Sequence, residues 1–312
     1  MAYQLEEINS SIREDKVGFM EECDCDFQKK VASVADHIMK NMTRSPIVLL
    51  SGPSGSGKTT TALKIEEELE KRGVNTHTIS MDNYFINLNP KTAPRTEDGS
   101  IDFESPKILD TELLSVHFAA LAKGEEIIVP KYEFTRQMRN DARGRPLRLG
   151  KNEIAIFEGI HALNDDIAGR NPLATTLYIS ARSDIYEGRE LRFKGTWMRL
   201  TRRAVRDFNF RGTDIASTLD MWVNVRRGEK LYISPYKSKA NIVFDSSLRY
   251  EVPVMKHYAK PMLEAVPSEN QRRGELLSLI SAFDYFEPID PQLVPIGSII
   301  REFIGGGNYK YK

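Results

Sequence analysis

Residues 46–60 read Pro46-Ile47-Val48-Leu49-Leu50-Ser51-Gly52-Pro53-Ser54-Gly55-Ser56-Gly57-Lys58-Thr59-Thr60, and the chain then runs on to Lys71 through Ala, Leu, Lys and Glu. The apolar, β-branched start predicts a buried strand. The run 60–71 predicts a helix. Between them, Gly52 to Thr59 fits G-x-x-x-x-G-K-[ST], a loop whose backbone N–H groups and following helix N-terminus cradle phosphates. Gly52, Ser54, Gly55, Ser56, Gly57, Lys58, Thr59 and Thr60 are the expected nucleotide-binding residues. Lys58 would reach the β- and γ-phosphates, and the Thr59 hydroxyl would hold Mg²⁺. The competing reading is a Gly-rich turn with no ligand.

The remaining composition narrows the class. The chain has 312 residues, 40% of them hydrophobic, enough for one large domain or two small ones. Lys+Arg and Asp+Glu both number 44. With no net charge, no global field draws nucleic acid or an acidic membrane. No apolar run reaches the length of a membrane span, and the acidic N-terminus has no signal-peptide core. Cys23 and Cys25 are the only cysteines. Their scarcity favours a reducing, cytoplasmic setting.

Strand-like runs at 74–80, 127–129, 153–159, 177–180 and 241–244 alternate with helical stretches. This predicts an α/β fold, a three-layer sandwich around a mainly parallel sheet. The expected organisation is an acidic extension with an amphipathic helix over 1–44, a core over 45–265 and a helical extension with a flexible, Gly-rich tail over 266–312. Acids crowd 1–26 and predict a solvated lead-in. Phe27, Val31, Val34, Ile38 and Met42 follow at helical spacing, so that helix docks on the core or on a second copy of the chain, which leaves a homo-oligomer open. The polar, basic stretch 132–150 predicts a protruding hairpin or loop.

Several residues carry chemistry. Asp82 stands just past the second predicted strand, where carboxyl ends of strands line a ligand crevice and a carboxylate could take the proton of an attacking hydroxyl. Glu158 ends another strand and could hold Mg²⁺ beside Thr59. The alternatives are a helix cap or loop acid for Asp82 and an ordinary strand-end acid for Glu158. Residues 189–211 are strongly basic. Arg199, Arg202, Arg203 and Arg206 recur three or four apart and share one helical face. That face could close over a triphosphate as a lid, at about 189–212, or serve as a solvated or RNA-binding patch; the aromatics there lack a stacking pattern, which argues against nucleic acid.

In order and spacing, these segments resemble the uridine kinase and phosphoribulokinase family of P-loop kinases over roughly residues 45–260. Ser80-Met81-Asp82-Asn83-Tyr84-Phe85 resembles the catalytic-aspartate segment. Asp102-Phe103-Glu104-Ser105-Pro106 resembles the acceptor-ribose segment, and Pro130-Lys131-Tyr132-Glu133-Phe134 the nucleoside-base loop. Phe157-Glu158-Gly159-Ile160 resembles the strand-end acid motif, and 199–207 with Arg211-Gly212 the lid helix. The resemblance implies ATP and Mg²⁺ as cofactors and phosphorylation of a small-molecule hydroxyl, with the 5'-hydroxyl of uridine or a related nucleoside as the leading acceptor. It gives Asp82, Lys58, Arg203 and Arg206 to catalysis and adds Arg206 and Arg211 to the nucleotide site. It gives Asp82, Tyr84, Glu104, Tyr132, Phe134, Gln137 and Arg203 to the acceptor.

The sequence departs from that pattern at the acceptor. Glu104 stands for an aspartate, Gln137 for a histidine, Thr213 for an arginine and Met221 for a glutamine; near the ATP site, Asn241 stands for an aspartate. A kinase for a different sugar or vitamin-like alcohol, or a nucleotide-binding regulatory module, therefore remain alternatives. The segment 283–306 resembles the end of longer bacterial uridine-kinase-like proteins, whose extra N-terminal module the stretch before residue 45 is too short to hold.

Overall fold

Every residue of the strand before the glycine loop is buried, and its side chains alternate between two separate cores. The computed structural model describes residues 2–267 and 273–311. In chain order the first elements are β1 (Ala2–Gln4), α1 (Leu5–Asn41), β2 (Ile47–Ser51), α2 (Lys58–Lys71), β3 (Asn75–Ser80) and α3 (Thr111–Ala122). Four short strands follow, β4 (Ile127–Val129), β5 (Tyr132–Glu133), β6 (Met138–Arg139) and β7 (Arg145–Leu147). Then come β8 (Glu153–Glu158), β9 (Thr175–Ser180), β10 (Asp184–Glu187), β11 (Glu190–Phe193), α4 (Gly195–Arg211) and α5 (Ile215–Gly228). The described chain ends with β12 (Ile242–Asp245), α6 (Glu251–Glu264), α7 (Arg273–Ala282) and α8 (Arg301–Ile304).

The central sheet has the order β12-β9-β2-β8-β3, and all its pairings are parallel. Parallel strands are covered on both faces, which is why the inner strands β2 and β8 read as near-continuous apolar runs, whereas the edge strand β3 is largely polar. Val48, Leu50, Ile154, Ile156, Leu177 and Ile179 face a core shared with α1, α2 and α6. Ile47, Leu49, Ile79, Ala155 and Phe157 face the opposite way, onto Leu114, Phe118 and Leu121 of α3. Strand alternation thus produces the three layers of an α/β sandwich. Outside the sheet, β4 pairs with β7 and β5 with β6, both antiparallel, and form the expected protrusion over 132–150.

The two ends of the chain differ from expectation. The acidic lead-in is ordered: β1 pairs in parallel with β10, and α1 then runs 37 residues. Most of its acids face outward, although Asp24 accepts from the buried Tyr250 hydroxyl (2.7 Å), while Leu5, Ile8, Ile12, Phe19, Met20, Phe27, Val31 and Ile38 enter the main core on one helical face. Asp15 (φ −154°, ψ 90°) breaks the helix, and its Oδ1 accepts from Val17 N (3.1 Å) and Gly18 N (3.0 Å), capping the second half. Charge density concealed an apolar period that the core completes. The tail is also held. Phe303 is fully buried, Gly305 (φ +86°) and Gly306 (φ +71°) turn the chain, and the Tyr309 hydroxyl donates to Glu67 (2.8 Å). Residues 268–272 of the expected C-terminal extension lie outside the described residues.

Phe27 meets Phe244 of β12 edge to face, centroids 5.2 Å apart. Phe27→Ala should therefore cost about 3–5 kcal/mol of stability in chemical denaturation. A loss below about 0.5 kcal/mol, typical of a surface site, would mark α1 as detached from the folded unit.

Candidate active site

The loop after β2 has a backbone that only glycine permits at two positions. A Cβ on Gly52 would lie 2.0 Å from the Ile179 carbonyl oxygen, and one on Gly55 (φ +73°) 2.5 Å from that of Arg199. The loop's carbonyls are gripped from behind. Arg199 Nη1 donates to Ser54 O (3.3 Å), Arg202 Nη1 to Gly55 O (3.3 Å) and Ser246 Oγ to Ser56 O (2.6 Å). With those oxygens engaged outward, the loop's amide N–H groups are left for an anion, apart from that of Ser56, which donates to Pro53 O (3.2 Å).

The arginines of α4 do line one side, and that side is packed down rather than held out in solvent. Arg202 is fully buried and bonds both oxygens of Glu251, also fully buried. Arg199 bonds both oxygens of buried Glu229 (3.0 and 2.9 Å). Residues 189–193 are not part of this helix; they belong to the β10–β11 hairpin joined to β1. Paired, buried guanidiniums do not present a surface to a nucleic-acid backbone.

Further along α4, the buried Asp207 carboxylate gathers Arg203 (3.2 Å), Arg206 (2.8 Å) and Arg211 (3.4 Å). Arg203 Nη1 also donates to Ser54 Oγ (3.0 Å) on the loop. Three cations on one anion leave an excess of two positive charges beside the loop. Burial pushes the Arg203 and Arg211 guanidiniums below their ordinary values, and Asp207 partly offsets this.

Sheet order brings acids to the same place. β8 lies next to β2, and β3 next to β8, so their carboxyl ends meet in front of the loop. Lys58 Nζ is 3.7 Å from Glu158 Oε1. Asp82 follows β3 in a tight turn in which its N–H donates to Ser80 Oγ (3.3 Å). Burial pushes both carboxylates above their usual range; Lys58 pulls both back, and Arg211 also pulls on Asp82. Thr59 is exposed in the first turn of α2. Thr60 is buried and bonded to Glu302.

Glu104 faces this cluster from the other side. Burial raises it to about 7; Arg203 and Lys58 act to lower it, and Asp102 to raise it. Its Cβ would be 2.3 Å from any Cβ placed on Gly228, so α5 needs glycine there. Burial raises Asp102 too, but an ion pair with Arg227 (2.6 Å) and a hydrogen bond from the Tyr232 hydroxyl (3.0 Å) outweigh it and hold Asp102 below the ordinary carboxylate value. Phe103, next to Glu104 in sequence, helps line an apolar pocket of about 330 Å³ together with Phe85, Ile108, Tyr132, Phe134 and Gln137 among others. Tyr132 meets Phe85 and Phe134 edge to face, at 5.4 and 5.3 Å. Gln137 reaches the pocket from a left-handed turn (φ +50°).

Two expectations fail here. Tyr84 does not face the acceptor side: it is fully buried, with its hydroxyl 2.9 Å from His117 Nδ1. Neighbouring residues of that turn point apart, so Phe85 lines the pocket instead. Asn241 is not near the nucleotide loop. It precedes β12, at the amino end of the sheet, and its Oδ1 accepts from Thr176 N (2.8 Å) and Oγ1 (2.9 Å). Sequence reasoning gave no role to Phe85 or Glu302, although both lie in segments it singled out, and it missed Ser246 and Glu251, which carry no local motif.

The glycine backbone, the orphan amides and Lys58 fit a phosphate chain. Thr59 and Glu158 are hard oxygen donors suited to Mg²⁺, which takes one or two protein ligands plus phosphate oxygens. Among the described residues no group of three or more His, Cys, Asp or Glu forms a metal cage.

The model of the "Phosphoribulokinase / Uridine kinase family" matches residues 47–252. The chain belongs to this family. Its chemistry is phosphoryl transfer to an alcohol, so this P-loop kinase is a phosphotransferase acting on a small metabolite, and family membership implies use of a nucleotide. The uridine kinase of Halobacterium salinarum is 28% identical over 195 residues, 62% of this chain and 77% of that protein. The uridine kinase of Clostridium novyi is 28% identical over 232 residues, 74% of this chain and all of that protein. The fold is shared with a solved structure from Silicibacter sp. TM1040 that carries a provisional fructose-transport-kinase assignment, at TM-score 0.50 and 17% identity, covering 69% of this chain and 98% of that one. No helix among the described residues is long and apolar enough to cross a membrane.

The Arg202–Glu251 pair generates a test. Glu251→Ala would strand a buried cation and should cost about 3–5 kcal/mol. Urea denaturation reads the loss; a cost below about 1 kcal/mol would show that the pair does not hold the loop's support together.

Proposed function

We propose that the chain is an ATP-dependent kinase that moves the γ-phosphoryl group to the 5'-hydroxyl of uridine or a related nucleoside. The observation that carries this reading is the meeting of Lys58, Glu158 and Asp82 at the carboxyl ends of adjacent strands, next to an aromatic pocket. Asp82 takes the proton of the acceptor hydroxyl as that oxygen bonds to the γ-phosphorus. The bond from phosphorus to the β,γ-bridging oxygen breaks, and its electron pair stays with ADP. A carboxylate raised above its ordinary value by burial is the better base. Lys58, Arg203 and Arg206 offset the charge that builds on the transferring group, and Arg206 and Arg211 line the nucleotide side. Thr59 and Glu158 would hold Mg²⁺, which supplies charge neutralisation when bound.

On the acceptor side, Tyr132 and Phe134 offer flat faces to a base ring, Gln137 an amide to its edge, and Glu104 a carboxylate to its sugar hydroxyls. A second reading, a different sugar or a vitamin-like alcohol, is favoured by the pocket's scarcity of polar groups: Gln137 and the Tyr132 hydroxyl stand among apolar side chains. A ring with several donors and acceptors would leave partners unpaired there, which costs orders of magnitude in selectivity. ATP consumption across a panel of nucleosides, sugars and vitamin alcohols separates the two, and turnover that no acceptor stimulates would favour a regulatory module.

Asp82→Asn should leave ATP affinity near that of the unaltered protein and cut acceptor-dependent turnover by about 10²–10⁴. Unchanged turnover would remove Asp82 from proton transfer.

Glu104 predicts a pH dependence. Between its ordinary 4.5 and about 7 the folded chain keeps a proton that the unfolded chain has lost, so this group lowers stability as pH rises through that window. Its ionised form is the better acceptor for a substrate hydroxyl. The acceptor's kcat/KM should therefore climb with pH to a plateau above about 7, and Glu104→Gln should remove that inflection. A profile identical in the two proteins would rule the carboxylate out of acceptor binding.

A further inference from the structure

The end of the chain lies across the phosphate loop. We propose that segment 296–311 is a built-in competitor of the nucleotide, with the Glu302 carboxylate holding donors that a nucleotide phosphate must take over. This rests on the nucleotide-binding reading of the loop.

Glu302 Oε2 accepts from Thr60 N (3.3 Å) and from Thr60 Oγ1 (2.5 Å), and the Tyr311 hydroxyl lies 3.1 Å from the same Oγ1. The first bond within α2 runs from Thr61 N to Gly57 O (3.0 Å). Thr60 N is therefore one of the amides of the helix's first turn that have no partner within the helix, the turn that binds phosphate in such loops. A carboxylate is the protein's own anion for that position. Glu302 is 7% exposed, so it is a packed contact and not a passing one.

The rest of the segment fixes it there. The Ile299 side chain fills the space over Gly57, where a Cβ would come within 2.5 Å of Ile299 Cδ1. The Phe303 ring stacks on the Arg202 guanidinium, 5.1 Å from its centroid. The Tyr309 hydroxyl reaches Glu67, two turns along α2. Glu302 also adds negative charge beside Glu158 and helps push it upward. A phosphate brought to the same donors meets that charge, so a nucleotide and Glu302 exclude one another. An anion at a helix N-terminus is held by at most about 2 kcal/mol, which nucleotide binding can exceed. The segment then works as a strap that yields to high nucleotide concentration.

The test uses the full chain and needs no acceptor. Calorimetric titration with ATP and Mg²⁺ compares the unaltered protein with Glu302→Gln, which keeps a bond to Thr60 and removes the charge. The variant should bind ATP about tenfold more tightly. In the unaltered protein, saturating ATP should speed amide hydrogen exchange across 299–311. Tyr311→Phe, which leaves the buried contacts in place, should tighten binding in the same direction by less. Equal or weaker ATP affinity in Glu302→Gln at unchanged melting temperature overturns the proposal. So does slower exchange across 299–311, which would make the segment part of the nucleotide site. Absence of ATP binding in both proteins would instead overturn the nucleotide reading of the loop.

Discussion

A guanidinium with no exposed surface is stable only when its donors are satisfied, and Arg202 meets that demand in a way that shapes everything in front of it. It bonds both oxygens of Glu251 at the start of α6, the Ser246 carbonyl (2.9 Å) and hydroxyl (3.2 Å) after β12, and the Gly55 carbonyl on the phosphate loop. One cation thereby ties α4, the edge of the sheet and the loop together. Arg199 repeats the arrangement one turn earlier with Glu229. The loop's outward carbonyls, and so its free amides, depend on pairs supplied from 145 residues or more away in sequence.

In front of the loop, charge is balanced by burial. Glu158, Asp82 and Glu104 are all raised by desolvation, and each is drawn back by Lys58 or an arginine. Asp207 holds three arginines in fixed positions and cancels only one of their charges. Fixed dipoles and charges in a site of low dielectric need no reorganisation when charge develops on a transferring phosphoryl group. Such groups also act on one another, which is why Glu302, a residue of the tail, registers at Glu158.

Much of the fold was legible because its signals are local. The run 46–60 fixed a strand, a glycine loop and a helix, Glu158 was found as the acid that ends an apolar strand, and Asp82 as an acid just past another strand. The hairpin over 132–150 declared itself by its turn residues. Other positions misled for physical reasons. The acids of 1–26 mask an apolar period of three to four that is visible only once the core it faces is known. Tyr84 and Phe85 are adjacent aromatics, and nothing in their order says which turns inward to His117.

The sequence by itself determined the glycine loop with its flanking strand and helix, because such a loop is built from consecutive residues whose backbone geometry is encoded where it is used. Tertiary structure alone decided the rest. It committed Arg199 and Arg202 to buttressing rather than to a solvent-facing lid, it placed Phe85 in the pocket, and it laid Glu302 on Thr60 across 242 residues. Buried charges find partners wherever packing brings them, and packing is a property of the whole chain.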